Sequence, residues 1–174
     1  MKCILYFIFP LMMINTTLID FNSETELEDW TIVNDTVMGG VSSSSIELTK
    51  DGHANFKGKV SLEKNGGFAS VRYNCPDTKL GDATKALLRI KGDGNEYQLR
   101  FKETASDGHS YIIAFPTSGE WETVELELAE MVPSFKGSQL NMDNFDHTFI
   151  DELSFFIGND EVSFNLLIDK IELE

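Results

Sequence analysis

The sequence predicts an all-β sandwich, and three observations point there. Past residue 18 no stretch of a dozen residues keeps a helical period. Apolar residues instead alternate in short runs. Clusters of Gly, Asn, Asp and Pro separate those runs at the roughly 8–12 residue spacing of sandwiches and barrels. The 13 Phe suit half-buried strands. At 174 residues, with no linker, repeat or low-complexity tract, the chain reads as one domain over 17–174 with its own core. Regular strands at both ends predict a jelly roll whose first and last strands pair in one sheet.

The elements follow in order. Met1-Lys2 and an apolar run over 3–14, interrupted only by Pro10, read as a signal peptide spanning 1–16. The run falls short of the roughly 20 apolar residues of a membrane span. The expectation is an exported protein, periplasmic or secreted, with no span in the mature chain. Strands are predicted at 18–21, 30–33, 46–48, 54–62 and 68–73. The acidic stretch 24–29 is expected to form one helical turn capped by Ser23. Residues 74–84, with Pro76, Gly81 and Asp82, read as loop. Segments 85–91 and 97–102 are expected to form a hairpin around Gly92-Asp93-Gly94-Asn95, because Asp-Gly favours the positive φ of tight turns. In the second of them Tyr97, Leu99 and Phe101 share one face, and Gln98, Arg100 and Lys102 the other. Strands at 110–115 and 121–128 flank a turn at 116–119; 130–144 reads as irregular; strands at 149–157 and 162–171 close the domain.

Charge narrows the function classes. Fourteen Lys+Arg stand against 29 Asp+Glu, a formal net charge of −15. Such a surface repels a phosphate backbone, so no nucleic-acid partner is expected, and it does not favour anionic lipid. Cys3 and Cys75 make no disulfide framework, and His53, His109 and His147 follow no ligand spacing. No metal or cofactor is expected.

The unusual stretch runs from Trp30 to Ser42. Asn34 and Asp35 can bond backbone N–H groups two residues on. Gly39 and Gly40 open backbone geometries closed to other residues. Val37 and Met38 place apolar side chains in a polar turn. The segment is either a loop buttressed over the end of the sandwich or the rim of a ligand or partner site.

Asn34-Asp35-x-Val37-Met38-Gly39-Gly40-x-Ser42 resembles the signature of the complex I intermediate-associated protein family. So does the block from Phe56-x-Gly58-x-Val60 to Asn65-Gly66-Gly67-Phe68-Ala69-Ser70-Val71-Arg72. Arg89-x-Lys91-Gly92-Asp93-Gly94, Tyr97, Trp121 and Pro133-x-Phe135-x-Gly137 continue the likeness along the chain. The resemblance implies a galactose-binding-like jelly-roll fold in a bacterial-type member. It also implies a non-catalytic, chaperone-like role in assembling respiratory complex I, through a protein partner. The alternative is an exported carbohydrate-binding module, which the fold suggests by analogy. The candidate binding rim is Asn34, Asp35, Val37, Met38, Gly39, Gly40, Ser42, Asn65, Gly66, Gly67 and Arg72.

No enzyme is expected. A glycosidase needs two carboxylates facing across a cleft; Asp35 and Asp93 are better explained as turn residues. No Gly-x-Ser-x-Gly elbow or phosphate loop is present. Arg72 and Arg100, rare cations on predicted strands, either pair with a neighbouring carboxylate or hydrogen-bond a sugar or a partner's carboxylate. Trp30 and Trp121 either fill the core or stack on a sugar.

Overall fold

The computed structural model describes residues 15–174. The expected leader, apart from its last two residues, and Cys3 lie outside them. Thirteen strands follow in chain order. The first six are β1 (Thr16–Asp20), β2 (Trp30–Ile32), β3 (Ser43–Leu48), β4 (Ala54–Val60), β5 (Phe68–Lys79) and β6 (Lys85–Lys91). Then come β7 (Glu96–Lys102), β8 (Ser110–Pro116), β9 (Trp121–Glu127), β10 (Val132–Phe135), β11 (Ser138–Gln139), β12 (Phe149–Gly158) and β13 (Val162–Leu173).

They form two sheets. One runs β3-β4-β13-β6-β9, with β1 also on β13; call it the back sheet. The other, the front sheet, runs β11-β10-β8-β7-β12-β5-β2. The fold is thus an all-β jelly-roll sandwich. Its first and last strands pair antiparallel, Thr16 opposite Leu173, as the sequence predicts.

Alternation makes the core. Ala86, Leu88 and Ile90 of β6 point inward, as do Tyr97, Leu99 and Phe101 of β7, all at 0% exposure. They meet Phe155 and Leu153 of β12 and Leu166 and Ile168 of β13, also fully buried. Each such large apolar side chain contributes about 1.5–3 kcal/mol by leaving water.

Four local expectations are corrected. The hairpin over 85–102 does not form: β6 pairs with β13 and β9, and β7 with β12 and β8. The chain turns at Gly92–Asn95 but crosses from one sheet to the other. Asp93 ties the crossing down, accepting hydrogen bonds from Asn95 N–H (3.1 Å), Tyr97 O–H (3.1 Å) and Asn165 N–H (2.6 Å). Residues 24–29 form turns rather than a helical turn. The Asn22 side chain takes Glu24 N–H (2.9 Å), and that local bond competes with helix. Most of 74–84 is strand, since β5 continues to Lys79 against β12. Pro76 is tolerated because β2 covers β5 only at Val71, Arg72 and Tyr73, leaving an edge beyond. Within 130–144, β10 and β11 make a small hairpin whose turn residues, Lys136 (φ 49°) and Gly137 (φ 80°), both adopt positive φ.

Candidate binding site

Asp35 anchors the loop that the sequence singles out. It lies at the start of a short 3-10 turn, Asp35–Met38, and is fully buried. Its carboxylate accepts hydrogen bonds from Ser42 N–H (2.9 Å), the Ser42 hydroxyl, Gly67 N–H (2.6 Å) and Phe68 N–H (3.3 Å). The Ser42 hydroxyl oxygen in turn accepts Ser61 N–H (2.9 Å). Burial works against ionisation here. The bonds from Ser42, Gly67 and Phe68 outweigh it and hold the carboxyl below the ordinary Asp value. Close packing explains two glycines. A Cβ on Gly40 would lie 2.4 Å from the Asp35 carboxyl carbon, and one on Gly66 would lie 2.5 Å from its oxygen. The knot fastens 34–42 to 61–68 and so fixes the start of β5.

That strand leads into a groove of about 670 Å³ across the outer face of the front sheet. Registers place its side chains in rows. Arg72, Ser154 and Arg100 stand side by side on β5, β12 and β7, and Ile112 of β8 continues the row. The next row holds Ser70, Phe156 and Gln98; the one on the other side holds Glu152 and Lys102. Phe68 and Phe156 stack with ring centroids 5.5 Å apart and planes 18° apart. The Arg100 guanidinium lies 3.4 Å from the Phe156 ring centroid. Guanidinium, ring and ring thus form a stack, with the guanidinium over one face of Phe156, flanked by hydrogen-bonding side chains. Met38 and Leu62 edge the groove at its Phe68 end; Phe135 and Lys136 edge it at the Lys102 end.

Two cations shape the field. Arg100 Nε (3.0 Å) and Nη2 (2.6 Å) both donate to Gln98 Oε1. Burial, and secondarily the like charge of Arg72, lower its pKa to about 10, so it stays cationic at neutral pH. Arg72 reaches Glu152 at 3.7 Å, an ion pair too long to be a good hydrogen bond.

The rim residues expected from sequence divide. Met38, Asn65, Gly66, Gly67 and Arg72 line the groove. Asn34, Asp35 and Ser42 are buried beneath it. Val37 is 70% and Met38 61% exposed. Gly39, at φ +91°, ends the 3-10 turn, and Gly40 packs on Asp35. Sequence reasoning missed Phe68, Gln98, Phe156 and Glu152 as site residues. The outward alternation of Gln98, Arg100 and Lys102 was the available signal. Trp30 is core, against Phe21 and Tyr73. Trp121 sits on the back sheet, beside His53 and Arg89. Cys75 is buried, and burial pushes its thiol up to about 11.

The arrangement binds rather than reacts. Glu152 is the one carboxylate among the described lining residues, and it is committed to Arg72. Opposed acid and base carboxylates, which glycoside hydrolysis requires, are not what this groove offers. Among the described residues no group of three or more His, Cys, Asp or Glu is placed to hold a metal. None of the described helices is long and apolar enough to cross a membrane.

Comparison with solved structures finds carbohydrate-binding folds. A family 11 carbohydrate-binding module from Clostridium thermocellum, solved with a β-1,3-1,4-mixed-linked tetrasaccharide, is 21% identical with a TM-score of 0.69. The match covers 91% of this chain and 94% of that one. A family 29 carbohydrate-binding module, in mutant form, is 10% identical with a TM-score of 0.53, over 93% and 92% of the two chains. An exo-β-agarase is 13% identical with a TM-score of 0.60, over 91% of this chain and 24% of that one. No curated protein sequence matches. These findings correct the expectation of a chaperone-like assembly factor for complex I: the structures reported that share its fold along nearly its whole length are carbohydrate-binding modules and an agarase. The family signature itself stands. The profile of Complex I intermediate-associated protein 30 matches residues 19–168, and the chain belongs to that family.

Proposed function

We propose that the chain is a carbohydrate-binding domain and that the front-sheet groove holds the glycan. The observation that carries this reading is the half-buried stack of Arg100, Phe156 and Phe68 on a groove floor lined with Gln98, Ser154, Arg72 and Glu152. A sugar ring has apolar C–H surface and a rim of hydroxyls. The apolar surface of half-buried aromatic rings suits the first, and fixed side-chain donors and acceptors suit the second. The jelly-roll fold shared with carbohydrate-binding modules supports the same reading. A glycan ligand also agrees with export, the localisation that the N-terminal run suggests.

Affinity electrophoresis tests it, with soluble polysaccharides cast in the gel and the panel spanning neutral β-glucans, galactans and acidic glycans. The wild-type chain is expected to be retarded by at least one of them. Phe156→Ala should abolish that retardation while leaving the thermal midpoint close to wild type. Free migration through every glycan, or full retention of binding by Phe156→Ala, would overturn the proposal.

A further inference from the structure

We infer that the glycan of this groove is acidic, its sugars bearing carboxylate or sulfate groups; the inference rests on the carbohydrate reading above. The chain carries a formal −15, yet its groove reverses the sign. Arg72, Arg100, Lys102 and Lys136 line it against the single carboxylate of Glu152.

Carboxylates are plentiful elsewhere and are used to neutralise lysines. Lys57 meets Glu47, Lys59 meets Glu161, Lys85 meets Glu125 and Glu127, Lys91 meets Glu120, and Lys170 meets Glu172. Of the groove cations, Arg72 lies 3.7 Å from Glu152, and the other three form no ion pair among the described residues. Arg100 rests on a neutral amide and an aromatic ring. Lys102 Nζ donates to the Asp107 carbonyl at 2.8 Å, and Lys136 Nζ lies 5.3 Å from the Phe135 ring centroid. Between the two arginines the strand pairing places Ser154.

Two guanidiniums flanking a neutral residue repel each other, and partial burial removes water that would screen them. An anion seated over Ser154 relieves both costs. The guanidinium fork matches the paired oxygens of a carboxylate or sulfate group. A nucleic acid would bring anions as well, but its continuous phosphate backbone would run onto an acidic surface that repels it.

Calorimetry on the full chain tests this. The probes are uronate-containing and sulfated polysaccharides of several linkages, each beside its carboxyl-reduced or desulfated counterpart, with polyglutamate alongside. The acidic member of at least one pair should bind about tenfold or more tightly than its neutral counterpart at low salt. That ratio should shrink toward one as salt is raised. Preference among uronates or among sulfated glycans identifies the anion. Arg100→Gln should remove most of the ratio; Lys102→Gln should reduce it if the arginine variant does not fold. Equal or tighter binding of the neutral members overturns the inference and leaves the carbohydrate reading standing. No binding to any glycan overturns both. Polyglutamate binding as tightly as the glycans shows a peptide-type anion site and overturns the inference.

Discussion

The outer faces of the two sheets treat charge in opposite ways. On the back sheet, lysines from β4, β6 and β13 lie against glutamates of the same strand or of neighbouring strands and turns. Pairs this exposed contribute only about 0–1 kcal/mol each, but they leave each of these lysines beside a carboxylate. In the groove of the front sheet, cations outnumber carboxylates, serines and a glutamine separate them, and two half-buried phenylalanines supply apolar surface. Both faces have the same backbone pleat and both cover the same core. The difference therefore lies in side chains that folding does not require, and such a difference points to a ligand.

The largest effect that would sharpen this contrast is structural. Asp35→Ala should cost about 3 kcal/mol or more, because it removes charge-assisted bonds and leaves the buried Ser42 N–H and the partly buried Gly67 N–H unpaired. Urea unfolding should show it as a lower midpoint at unchanged slope. Gly40→Val should act in the same direction, since its side chain enters the space of the Asp35 carboxyl. A midpoint equal to wild type in both variants would mean that the knot does not hold the groove end.

Next in size is the contrast between aromatic residues. Phe156→Ala on the front sheet should weaken glycan binding by about tenfold or more. Trp121→Ala on the back sheet should leave affinity unchanged although it removes a larger ring. Equal losses from both would break the assignment of the site to one face.

A smaller effect concerns pH. The folded pKa of Asp35 lies below its ordinary value of 3.8. The folded state therefore binds the proton less readily than the unfolded chain does. The stabilisation is fully present above the unfolded pKa and is lost as pH falls through the lower, folded one. Thermal midpoints measured from neutral pH downward should decline steeply below about 3.8 in the wild type. In Asp35→Asn, which starts lower, this part of the decline should be missing. Parallel curves for the two would show that another carboxylate governs acid unfolding.

The smallest expected effect is the control. Lys57→Gln breaks the exposed pair with Glu47. It should change stability by no more than about 1 kcal/mol and leave glycan affinity unaltered. A loss of affinity from this variant would extend the site around the sandwich edge.

Much of this was legible before the fold was known, and particular residues show why. Alternation in 97–102 separates Tyr97, Leu99 and Phe101 from Gln98, Arg100 and Lys102, and the structure buries the first set and turns the second outward. The Asn34 to Ser42 segment reads as a special loop because Gly39 and Gly40 serve no other purpose in a strand. Yet the purpose of Gly40 is visible only in space, where Asp35 fills the site of its missing side chain. The assembly role was what the family resemblance implies, and the likeness to carbohydrate-binding modules overturned it.

The sequence alone determined which side of each strand faces the core, because burial acts residue by residue with a period of two. It also determined where the chain reverses, because Gly, Asn and Asp permit the backbone angles of a turn. Tertiary structure decided which sheet each strand joins. The Gly92–Asn95 turn marks a reversal equally well for a hairpin or for a crossing, and here it crosses. Strand pairing is made by backbone groups that every residue carries, between segments far apart in sequence. Only that pairing brings β12 between β5 and β7, and so sets Arg72 and Arg100 on either side of Ser154.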